Sequence, residues 1–381
     1  MTAAPERDTL RATPRRLVHV VFHLDVGGVE VGVLNLVQGL AEMGYEQAVC
    51  CLERPGVLST RIPETVALWV CGSNRAQRYL PLLRAAAHLR RFQPDIVHVR
   101  NSGAWINAVA AWLLAGFPGK LVFSIHGLML PRPVDWRAAL RCRLLARVTS
   151  GLAAVSTITA RHFAIDTGIV ARPIVILQSG VSTQRFQPRS TKVTPAWPDA
   201  PIVLGCVARL DPSKGHDTLL HAFAACRLHS PLKLELHLVG DGPYRERLQA
   251  LALALGVDAS VKFLGECADV ARQLEQFDIF ILASRSEGRP TSIMEAMSAG
   301  LPVVATRVGA IPDMVCHGRS GILVNPADST ALMEALLKLL RDTPMRMAMG
   351  ACGRQLALEQ FSIDDMFKRY DAFYTSLCDM K

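Results

Sequence analysis

Residues 286–300 read Ser-Glu-Gly-Arg-Pro-Thr-Ser-Ile-Met-Glu-Ala-Met-Ser-Ala-Gly, and this stretch decides how the chain is interpreted. It places Glu287 and Glu295 eight residues apart, a spacing that a continuous helix would turn into a rise of about 12 Å. Pro290 argues against a continuous helix, because the residue before a proline is pushed out of the helical region. The sequence therefore predicts a strand over 278–282, a glycine loop that carries Glu287, and a helix with Glu295 in its first turns.

The junction between this loop and this helix has the chemistry of an anion site. We expect Thr291 or Ser292 to be the N-cap of the helix. Free backbone N–H groups and the positive end of the helix dipole suit a diphosphate there. The flanking glutamates can accept hydrogen bonds from the hydroxyls of a sugar and a ribose. The stretch therefore indicates a nucleotide-sugar site, and the alternative is a surface loop followed by a helix with two solvated glutamates.

Together with Ala-Gly-Leu-Pro-Val-Val-Ala-Thr at 299–306, the stretch resembles the E-x7-E signature of the family 4 retaining glycosyltransferases. The resemblance implies that Glu287 faces the transferred sugar and that Glu295 faces the ribose. Arg289 stands where an apolar residue is commoner, which implies altered recognition of the sugar or a third cation near the phosphates. The donor-binding residues implied by this segment are Glu287, Gly288, Arg289, Pro290, Thr291 and Glu295.

Two cations follow a predicted strand in the second half of the chain. Arg209 and Lys214 lie in Val-Ala-Arg-Leu-Asp-Pro-Ser-Lys-Gly, residues 207–215. Fixed cations can stabilise the charge of a departing diphosphate, and no D-x-D metal motif occurs in the sequence. The alternative is that both are ordinary solvated loop residues. The segment resembles the phosphate-binding R-x4-K-G loop of the family, which makes Arg209, Lys214 and Glu287 candidate catalytic residues that also bind the donor.

Two further segments of the second half resemble donor-binding elements of the family. Gly240, in Val-Gly-Asp-Gly-Pro at 239–243, matches the G-x-G-P turn that shapes the nucleotide pocket. Leu264, in Phe-Leu-Gly at 263–265, matches the segment whose backbone meets the base. Ordinary turn chemistry and a buried strand end explain the two segments equally well.

The first half offers a glycine loop and a histidine, each after a predicted strand. Gly27 and Gly28 precede a predicted helix over 31–42 and permit close approach of the backbone to a phosphate or a sugar; a tight turn is the alternative. They resemble the Gly-Gly-x-Glu/Gln loop of the family. A lone histidine is more often structural, but His126, in Phe-Ser-Ile-His-Gly at 123–127, resembles the H-G position of the family. That resemblance makes His126 a candidate catalytic residue that contacts the transferred sugar or stabilises the transition state.

The segment 135–148 alternates apolar residues with arginines. Arg137 and Arg141, like Leu140 and Leu144, recur four residues apart, which predicts one cationic and one apolar helix face. Such a helix suits the surface of an anionic membrane; an ordinary amphipathic helix whose arginines face water is equally compatible. The candidate residues for contact with the acceptor or the membrane are Arg137, Arg141, Arg143 and Arg147.

The composition limits the class of protein. With 381 residues, 50% of them hydrophobic, the chain can bury two cores. No apolar run has the length of a membrane helix, and residues 1–16 lack the apolar core of a signal peptide. Ten cysteines without a C-x-x-C pair indicate neither a zinc site nor a disulfide framework. We therefore expect a cytoplasmic protein without a metal.

The positive charge is concentrated in the first half. Residues 1–185 hold 21 Lys and Arg against 11 Asp and Glu, a balance of +10, whereas the remainder holds 21 against 22, a balance of −1, which gives the net +9. A basic half indicates an anionic membrane surface, an acidic substrate or nucleic acid. No zinc-finger or RNP-type segment is present and aromatic residues are only 6%, so no nucleic-acid partner is expected.

Apolar, β-branched runs alternate with helical patterns along the chain, which is typical of a doubly wound parallel α/β sheet. The predicted strands lie at 17–24, 47–52, 96–99, 121–124, 151–155 and 174–177, and then at 202–208, 233–239, 261–263, 278–282, 303–305 and 321–324. Four prolines between 188 and 201 predict a linker. We expect a first domain over 14–186, the linker over 187–201, a second domain over 202–360, and a last helix over 361–377 that packs on the first domain.

The resemblance covers residues 18–327 and implies the GT-B fold, in which two Rossmann-like domains face each other across a cleft. It implies a nucleotide-sugar donor held mainly by the second domain, an acceptor held mainly by the first, and retention of anomeric configuration with neither a metal nor another cofactor. The first loop also resembles bacterial exopolysaccharide-type sugar transferases. We expect transfer of a sugar from a nucleoside diphosphate to a lipid-linked or polysaccharide acceptor, in the cytoplasm or peripherally on the inner face of the plasma membrane. A sugar-nucleotide epimerase of the same fold and a non-catalytic sugar-nucleotide-binding protein are the alternatives.

Overall fold

The computed structural model describes residues 15–25, 27–72, 79–100, 102–127, 135–189 and 200–379. The chain divides into two compact units. The first unit comprises residues 1–155, 160–177 and 367–381, and the second unit comprises residues 156–159 and 178–366. Most of the predicted linker, residues 190–199, lies outside the described residues.

The first unit is built on a parallel sheet of seven strands. The strands are β1 (Arg16–Val21), β2 (Glu46–Cys51), β3 (Ala67–Val70), β4 (Ile96–Val99), β5 (Lys120–Ile125), β6 (Gly151–Ala154) and β7 (Ile174–Ile176). Their order in the sheet is β3-β2-β1-β4-β5-β6-β7. The helices are α1 (Gly28–Glu42), α2 (Leu80–Phe92), α3 (Ser102–Leu114), α4 (Trp136–Val148) and α5 (Thr157–Thr167), with a 3₁₀ turn at Val57–Arg61.

The second unit is built on a parallel sheet of six strands. The strands are β8 (Ile202–Val207), β9 (Leu234–Val239), β10 (Val261–Gly265), β11 (Ile279–Leu282), β12 (Val303–Thr306) and β13 (Gly321–Val324), in the order β10-β9-β8-β11-β12-β13. The helices are α6 (His216–His229), α7 (Arg245–Ala254), α8 (Val270–Leu274), α9 (Thr291–Ser298), α10 (Ile311–Met314), α11 (Ser329–Arg341) and α12 (Thr343–Gln360), with 3₁₀ turns at Pro212–Lys214 and Asp258–Ser260. The last helix, α13 (Ile363–Asp379), belongs to the first unit from Phe367 onward.

The predicted α/β architecture of two doubly wound parallel sheets is confirmed. Strand β3 is absent from the prediction although its residues are all apolar; it is a four-residue edge strand with Leu68 and Val70 exposed. The inner strands are buried on both faces, as parallel sheets covered by helices are. None of the helices among the described residues combines the length and the apolar character that a membrane crossing requires.

The strand order decides which loops come together at the carboxyl edge of each sheet. In the second unit β9, β8 and β11 are neighbours, so the loops that begin at residues 208, 240 and 283 lie side by side. In the first unit β1, β4 and β5 are neighbours, so residues 22, 100 and 126 follow adjacent strand ends. Open α/β sheets bind ligands at this edge.

Candidate functional site

The loop after β8 carries Arg209 at its start. The Arg209 side chain is 70% exposed, and its Nε donates to Asp211 Oδ2 over 2.8 Å. Asp211 also accepts a hydrogen bond of 2.8 Å from the backbone N–H of Ser213. Burial opposes ionisation of Asp211, but the hydrogen bonds from Ser213 and Arg209 keep its pKa below the ordinary value. A buried carboxylate thus fixes the loop and leaves the Arg209 guanidinium open to solvent.

Lys214 and Glu287 form an ion pair between the loops after β8 and β11. The Lys214 Nζ lies 2.7 Å from Glu287 Oε1, with 23% of the lysine side chain and 7% of the glutamate side chain exposed. The hydroxyl of Ser284 donates to the same oxygen over 2.7 Å. The structure therefore brings together two residues that the sequence predicted for one site, 73 positions apart.

Backbone packing holds these two loops against each other. The backbone N–H of Arg285 donates to the Ser213 carbonyl over 2.7 Å. Gly215 has a φ of +64°, and a Cβ at that position would lie 2.1 Å from the Ala283 carbonyl oxygen. Only glycine adopts this conformation without cost and allows the approach. The glycine of the R-x4-K-G segment thus sets how closely Lys214 approaches the end of β11.

A second glycine supports the loop that carries Glu287. Gly309 has a φ of +53°, and a Cβ there would lie 1.9 Å from the Glu287 carbonyl oxygen. The Gly288 carbonyl accepts a 3.1 Å hydrogen bond from the backbone N–H of Ala310. Glu287 is thereby held from the loop after β12 as well as by Lys214 and Ser284.

The helix α9 begins one residue earlier than expected. The predicted N-cap at Thr291 or Ser292 is wrong: Pro290 is the N-cap, with a φ of −68° and no side-chain hydrogen bond, and Thr291 is the first helical residue. The fixed φ of proline suits a residue that enters a helix from extended backbone. The first turn of α9 therefore presents N–H groups that no capping side chain occupies, as the predicted anion site would require.

Glu295 lies in the second turn of α9 and is a partly buried carboxyl group. Burial raises the pKa of Glu295 to about 7, and the positive charge of Arg185 lowers it only in part. A carboxyl group that titrates near neutral pH is a mark of functional sites.

The remaining donor-side predictions are spread over three elements. The backbone N–H of Gly240 donates to the Gly265 carbonyl over 2.7 Å, which joins the turn after β9 to the end of β10. Leu264 is 41% exposed in β10. The Arg289 guanidinium carbon lies 5.2 Å from the ring centroid of Phe361 at the end of α12, a cation–π contact.

In the first unit, Gly27 is the N-cap of α1 in extended backbone, and Gly28 is the first helical residue. The helix thus begins three residues before the predicted start. His126 follows β5 directly, is partly buried, and lies with Nε2 3.0 Å from Ser124 Oγ. Burial and the charge of Arg100 lower the pKa of His126 to about 3, so the ring is neutral at physiological pH.

The helix α4 has one mixed exposed face. Trp136, Leu140 and Leu144 are 68%, 45% and 51% exposed, and all four arginines of the helix are exposed as well. The predicted separation into one cationic and one apolar face is wrong, because the helix packs on the unit through the small residues Ala139 and Ala146. The candidate arginines of this helix are Arg137, Arg141, Arg143 and Arg147. Arg143 is tied to the unit, because its Nε donates to the Thr167 carbonyl over 2.6 Å. The Arg137 guanidinium carbon lies 5.4 Å from the ring centroid of its neighbour Trp136.

Sequence reasoning missed the residues that support the candidates. Ser284 and Asp211 each lie three or fewer positions from a predicted site residue and follow a strand, a signal that could have identified them. Arg100 also follows a predicted strand, but no predicted site residue lies near it in the sequence, and only the structure shows that it is buried, with 1% exposed. Among the described residues, no group of three or more His, Cys, Asp or Glu side chains is arranged to hold a metal ion.

Two parallel Rossmann-like sheets with cations and carboxylates at one carboxyl edge define the class of GT-B glycosyltransferases. The crystal structure of HepE from Anabaena in complex with UDP-glucose superposes with a TM-score of 0.80 at 21% identity, covering 95% of this chain and 99% of that chain. That likeness supports the GT-B fold.

The sequence comparisons identify the family within this class. Two family models match consecutive parts of the chain: Glycosyltransferase Family 4 over residues 26–185, and Glycosyl transferases group 1 over residues 189–356. A GDP-mannose-dependent alpha-(1-6)-phosphatidylinositol monomannoside mannosyltransferase of Mycolicibacterium smegmatis is 30% identical over 68% of this chain and 72% of that protein. An N-acetyl-alpha-D-glucosaminyl L-malate synthase of Bacillus anthracis is 33% identical over 41% of this chain and only 40% of that protein. The chain belongs to the GT4 family of nucleotide-sugar-dependent glycosyltransferases.

Proposed function

We propose that this glycosyltransferase moves a hexosyl group from a nucleoside diphosphate to a lipid-linked or polysaccharide acceptor, with retention of anomeric configuration and without a bound metal. The observation that carries the proposal is the ion pair of Lys214 with the buried Glu287, beside the exposed guanidinium of Arg209. Cations and a carboxylate meet there at the carboxyl edge of the second sheet.

The two cations support departure of the diphosphate. As the bond to the sugar breaks, negative charge develops on the diphosphate, and cations fixed in advance stabilise that charge without reorganisation. Arg209 is held by Asp211 and Lys214 by Glu287, so both are fixed before the donor arrives. The sequence has no D-x-D motif that would bring a divalent cation to the diphosphate.

The glutamates and the start of α9 divide the rest of the donor between them. The uncapped first turn of α9 suits the diphosphate. We assign Glu287 to a hydroxyl of the transferred sugar, because its Oε1 is already anchored by Lys214 and Ser284. We assign Glu295, further along α9, to the ribose, and His126 and the Gly27–Gly28 loop keep the family roles at the sugar.

A panel of nucleotide sugars tests this assignment. Slow release of nucleoside diphosphate, and product that keeps the anomeric configuration of the donor by NMR, are expected. Formation of an epimer would favour the epimerase, and a panel without any conversion would favour a binding protein. Because the products of the three classes differ, one experiment separates them.

Substitution of the cations tests the metal-free mechanism. Lys214→Ala and Arg209→Ala are each expected to lower kcat by roughly 10²–10³, the cost of removing one electrostatic partner of the transition state. The matched control is Lys262→Ala, since Lys262 also pairs with a glutamate, Glu235, over 2.6 Å but is exposed on β10. Wild-type kcat in both variants, or complete loss of activity on chelation of divalent metal, would contradict the mechanism.

The exposed face of α4 supports an acceptor in an anionic membrane. Trp136, Leu140 and Leu144 can enter the boundary between head groups and acyl chains, while Arg137 and Arg141 contact the phosphates. A relative is named for a phosphatidylinositol mannoside acceptor, which is a lipid. Each arginine near an anionic surface contributes on the order of 1 kcal/mol, and salt screens the attraction.

Sedimentation with phosphatidylglycerol-rich liposomes tests the membrane contact. Replacement of Arg137, Arg141 and Arg147 together by alanine is expected to abolish binding at low salt. The matched control removes three exposed arginines of the second unit, Arg247, Arg319 and Arg341, and therefore changes the net charge equally. Equal loss in the control, or binding that ignores salt, would remove α4 from the proposal.

A further inference from the structure

The buried polar cluster of the first unit begins at Arg100. Its guanidinium donates to Tyr370 Oη over 3.2 Å, to Tyr374 Oη over 3.4 Å and to His19 Nδ1 over 3.1 Å. Arginine has only donors, so each of these partners must accept. Among the described residues no carboxylate pairs with Arg100, and the neighbours that surround its charge are neutral hydroxyls and imidazoles.

The hydrogen bond from Arg100 to Tyr374 determines the direction of the hydrogen bond between Tyr374 and His98. Tyr374 is fully buried, and its hydroxyl oxygen accepts from Arg100. Its single proton therefore donates to His98 Nδ1, which lies 2.7 Å away. Burial, followed by the charge of Arg100, holds the pKa of His98 well below its usual range, so that this ring is neutral. A neutral ring that accepts at Nδ1 carries its proton on Nε2.

The same reasoning continues to His126. The Nε2–H of His98 donates to Ser124 Oγ over 2.8 Å. The Ser124 hydroxyl then donates its own proton to His126 Nε2 over 3.0 Å. Because His126 is neutral as well, and because its Nε2 accepts, its proton resides on Nδ1.

A second branch from Arg100 ends differently. His19 accepts at Nδ1, so its Nε2–H donates to Gln47 Oε1 over 3.1 Å, and the Gln47 amide donates to the Val37 carbonyl over 2.8 Å. That branch closes on the backbone. The branch through His98 ends on His126, whose Nδ1–H takes part in none of the hydrogen bonds of this branch.

We propose that Tyr374, His98 and Ser124 are positioning residues that hold His126 as the neutral Nδ1–H tautomer, and so make it a hydrogen-bond donor to the transferred sugar. The first part stands on the cluster alone, and the second rests on the proposed function. A ring in this state cannot take a proton at Nε2, because the Ser124 hydroxyl occupies it. His126 therefore orients a sugar oxygen and does not act as a base.

Nitrogen-15 NMR of the full-length protein with labelled histidine reads the tautomer directly, with the His126 signals identified by their loss in His126→Asn. We expect a protonated Nδ1 and an unprotonated Nε2 at pH 7.5. Ser124→Ala is expected to abolish this preference and to lower kcat roughly 2- to 12-fold, the value of an ordinary hydrogen bond. Ser124→Thr keeps the hydroxyl and is expected to restore both.

The last helix supplies a matched pair of variants. Tyr374→Phe removes the donor to His98 and is expected to change the His126 tautomer. Tyr45→Phe removes a 2.6 Å hydrogen bond to Asp371 of the same helix, outside the relay, and is expected to leave the tautomer unchanged. An Nε2–H ring in the wild type, an unchanged tautomer in Ser124→Ala, or equal responses of the two tyrosine variants would overturn the relay. Tautomers as expected with wild-type kcat in Ser124→Ala would uphold the relay and contradict the proposed role of His126.

Discussion

Glu295 predicts a pH dependence of donor binding. Its pKa is raised to about 7 by burial, and the proposed contact with the ribose hydroxyls needs the ionised carboxylate as acceptor. About nine-tenths of the group is ionised at pH 8 and about one-tenth at pH 6, from the one-unit distance on either side of the pKa. Because the apparent Kd scales inversely with the fraction of competent protein, lowering the pH from 8 to 6 is expected to weaken donor binding about tenfold.

Isothermal titration with an intact nucleoside-diphosphate sugar is the appropriate assay. A free nucleoside diphosphate would add the titration of its own terminal phosphate, whose pKa is about 6. Glu295→Gln is the control: its affinity is expected to be weaker than that of the wild type at pH 8 and constant from pH 6 to 8. The buried carboxyl also costs folding stability as the pH rises from the unfolded-state pKa toward 7, so the glutamine variant is expected to have the higher Tm at pH 8.

Two results would refute this reasoning. Wild-type affinity that stays constant between pH 6 and 8 would show that Glu295 does not titrate there or does not touch the donor. An equal slope in Glu295→Gln would assign the pH dependence to another group. If the wild-type affinity stays constant, carbon-13 NMR of the Glu295 carboxyl separates the two explanations, because it reports the pKa of this group in the absence of donor.

Three further predictions concern the two units. Glu287→Ala is expected to lower the transfer rate more than the affinity for nucleoside diphosphate, and equal losses in kinetics and calorimetry would contradict its assignment to the sugar. Gly215→Ala is expected to lower the free energy of unfolding by at least about 1–2 kcal/mol, and by more than Gly256→Ala, whose φ of +65° is nearly equal but where an added Cβ would meet nothing within 4 Å. Denaturant titrations that rank the two variants oppositely would refute the packing argument. Burial lowers the pKa of His19 to about 3 and holds that of His98 well below its usual range, so the first unit loses stability as the pH falls through the unfolded-state value of about 6.5. At pH 5 His19 alone accounts for roughly 2 kcal/mol of this loss; hydrogen exchange in β1 and β4 measures it, and unchanged protection at pH 5 would contradict it.

The strands could be predicted because parallel sheets bury both faces, so β8 or β11 reads as an uninterrupted apolar run. The pairing of Lys214 with Glu287 could be anticipated only through the resemblance, since periodicity does not reveal that β8 and β11 are neighbours. The N-cap of α9 escaped because Thr291 has the preferred side chain, while the backbone restriction of Pro290 decided the position. The mixed face of α4 was missed because Arg137, Leu140, Arg141 and Leu144 are three or four residues apart and therefore share one helix face, whereas the prediction placed the arginines and the leucines on separate faces.

The partners of Arg100 were beyond reach for a different reason. Tyr370 and Tyr374 lie 270 and 274 positions away, in a helix whose pattern is ordinary. No local signal in a sequence connects a residue after one strand to hydroxyls that far along the chain. The hydrogen bonds of Arg100 to these tyrosines are seen only in the structure, in which the end of α13 belongs to the first unit.

That separation has a consequence for biosynthesis. Chains emerge from the ribosome amino end first, and domains generally fold as units in that order. Here Arg100 is made early, but the hydroxyls that accept from it are made after the whole of the second unit. A buried guanidinium without acceptors is costly, so the first unit waits for the last helix while residues 178–366, contiguous in the chain, can complete their own core. The unit that is synthesised first is therefore the one that finishes folding last.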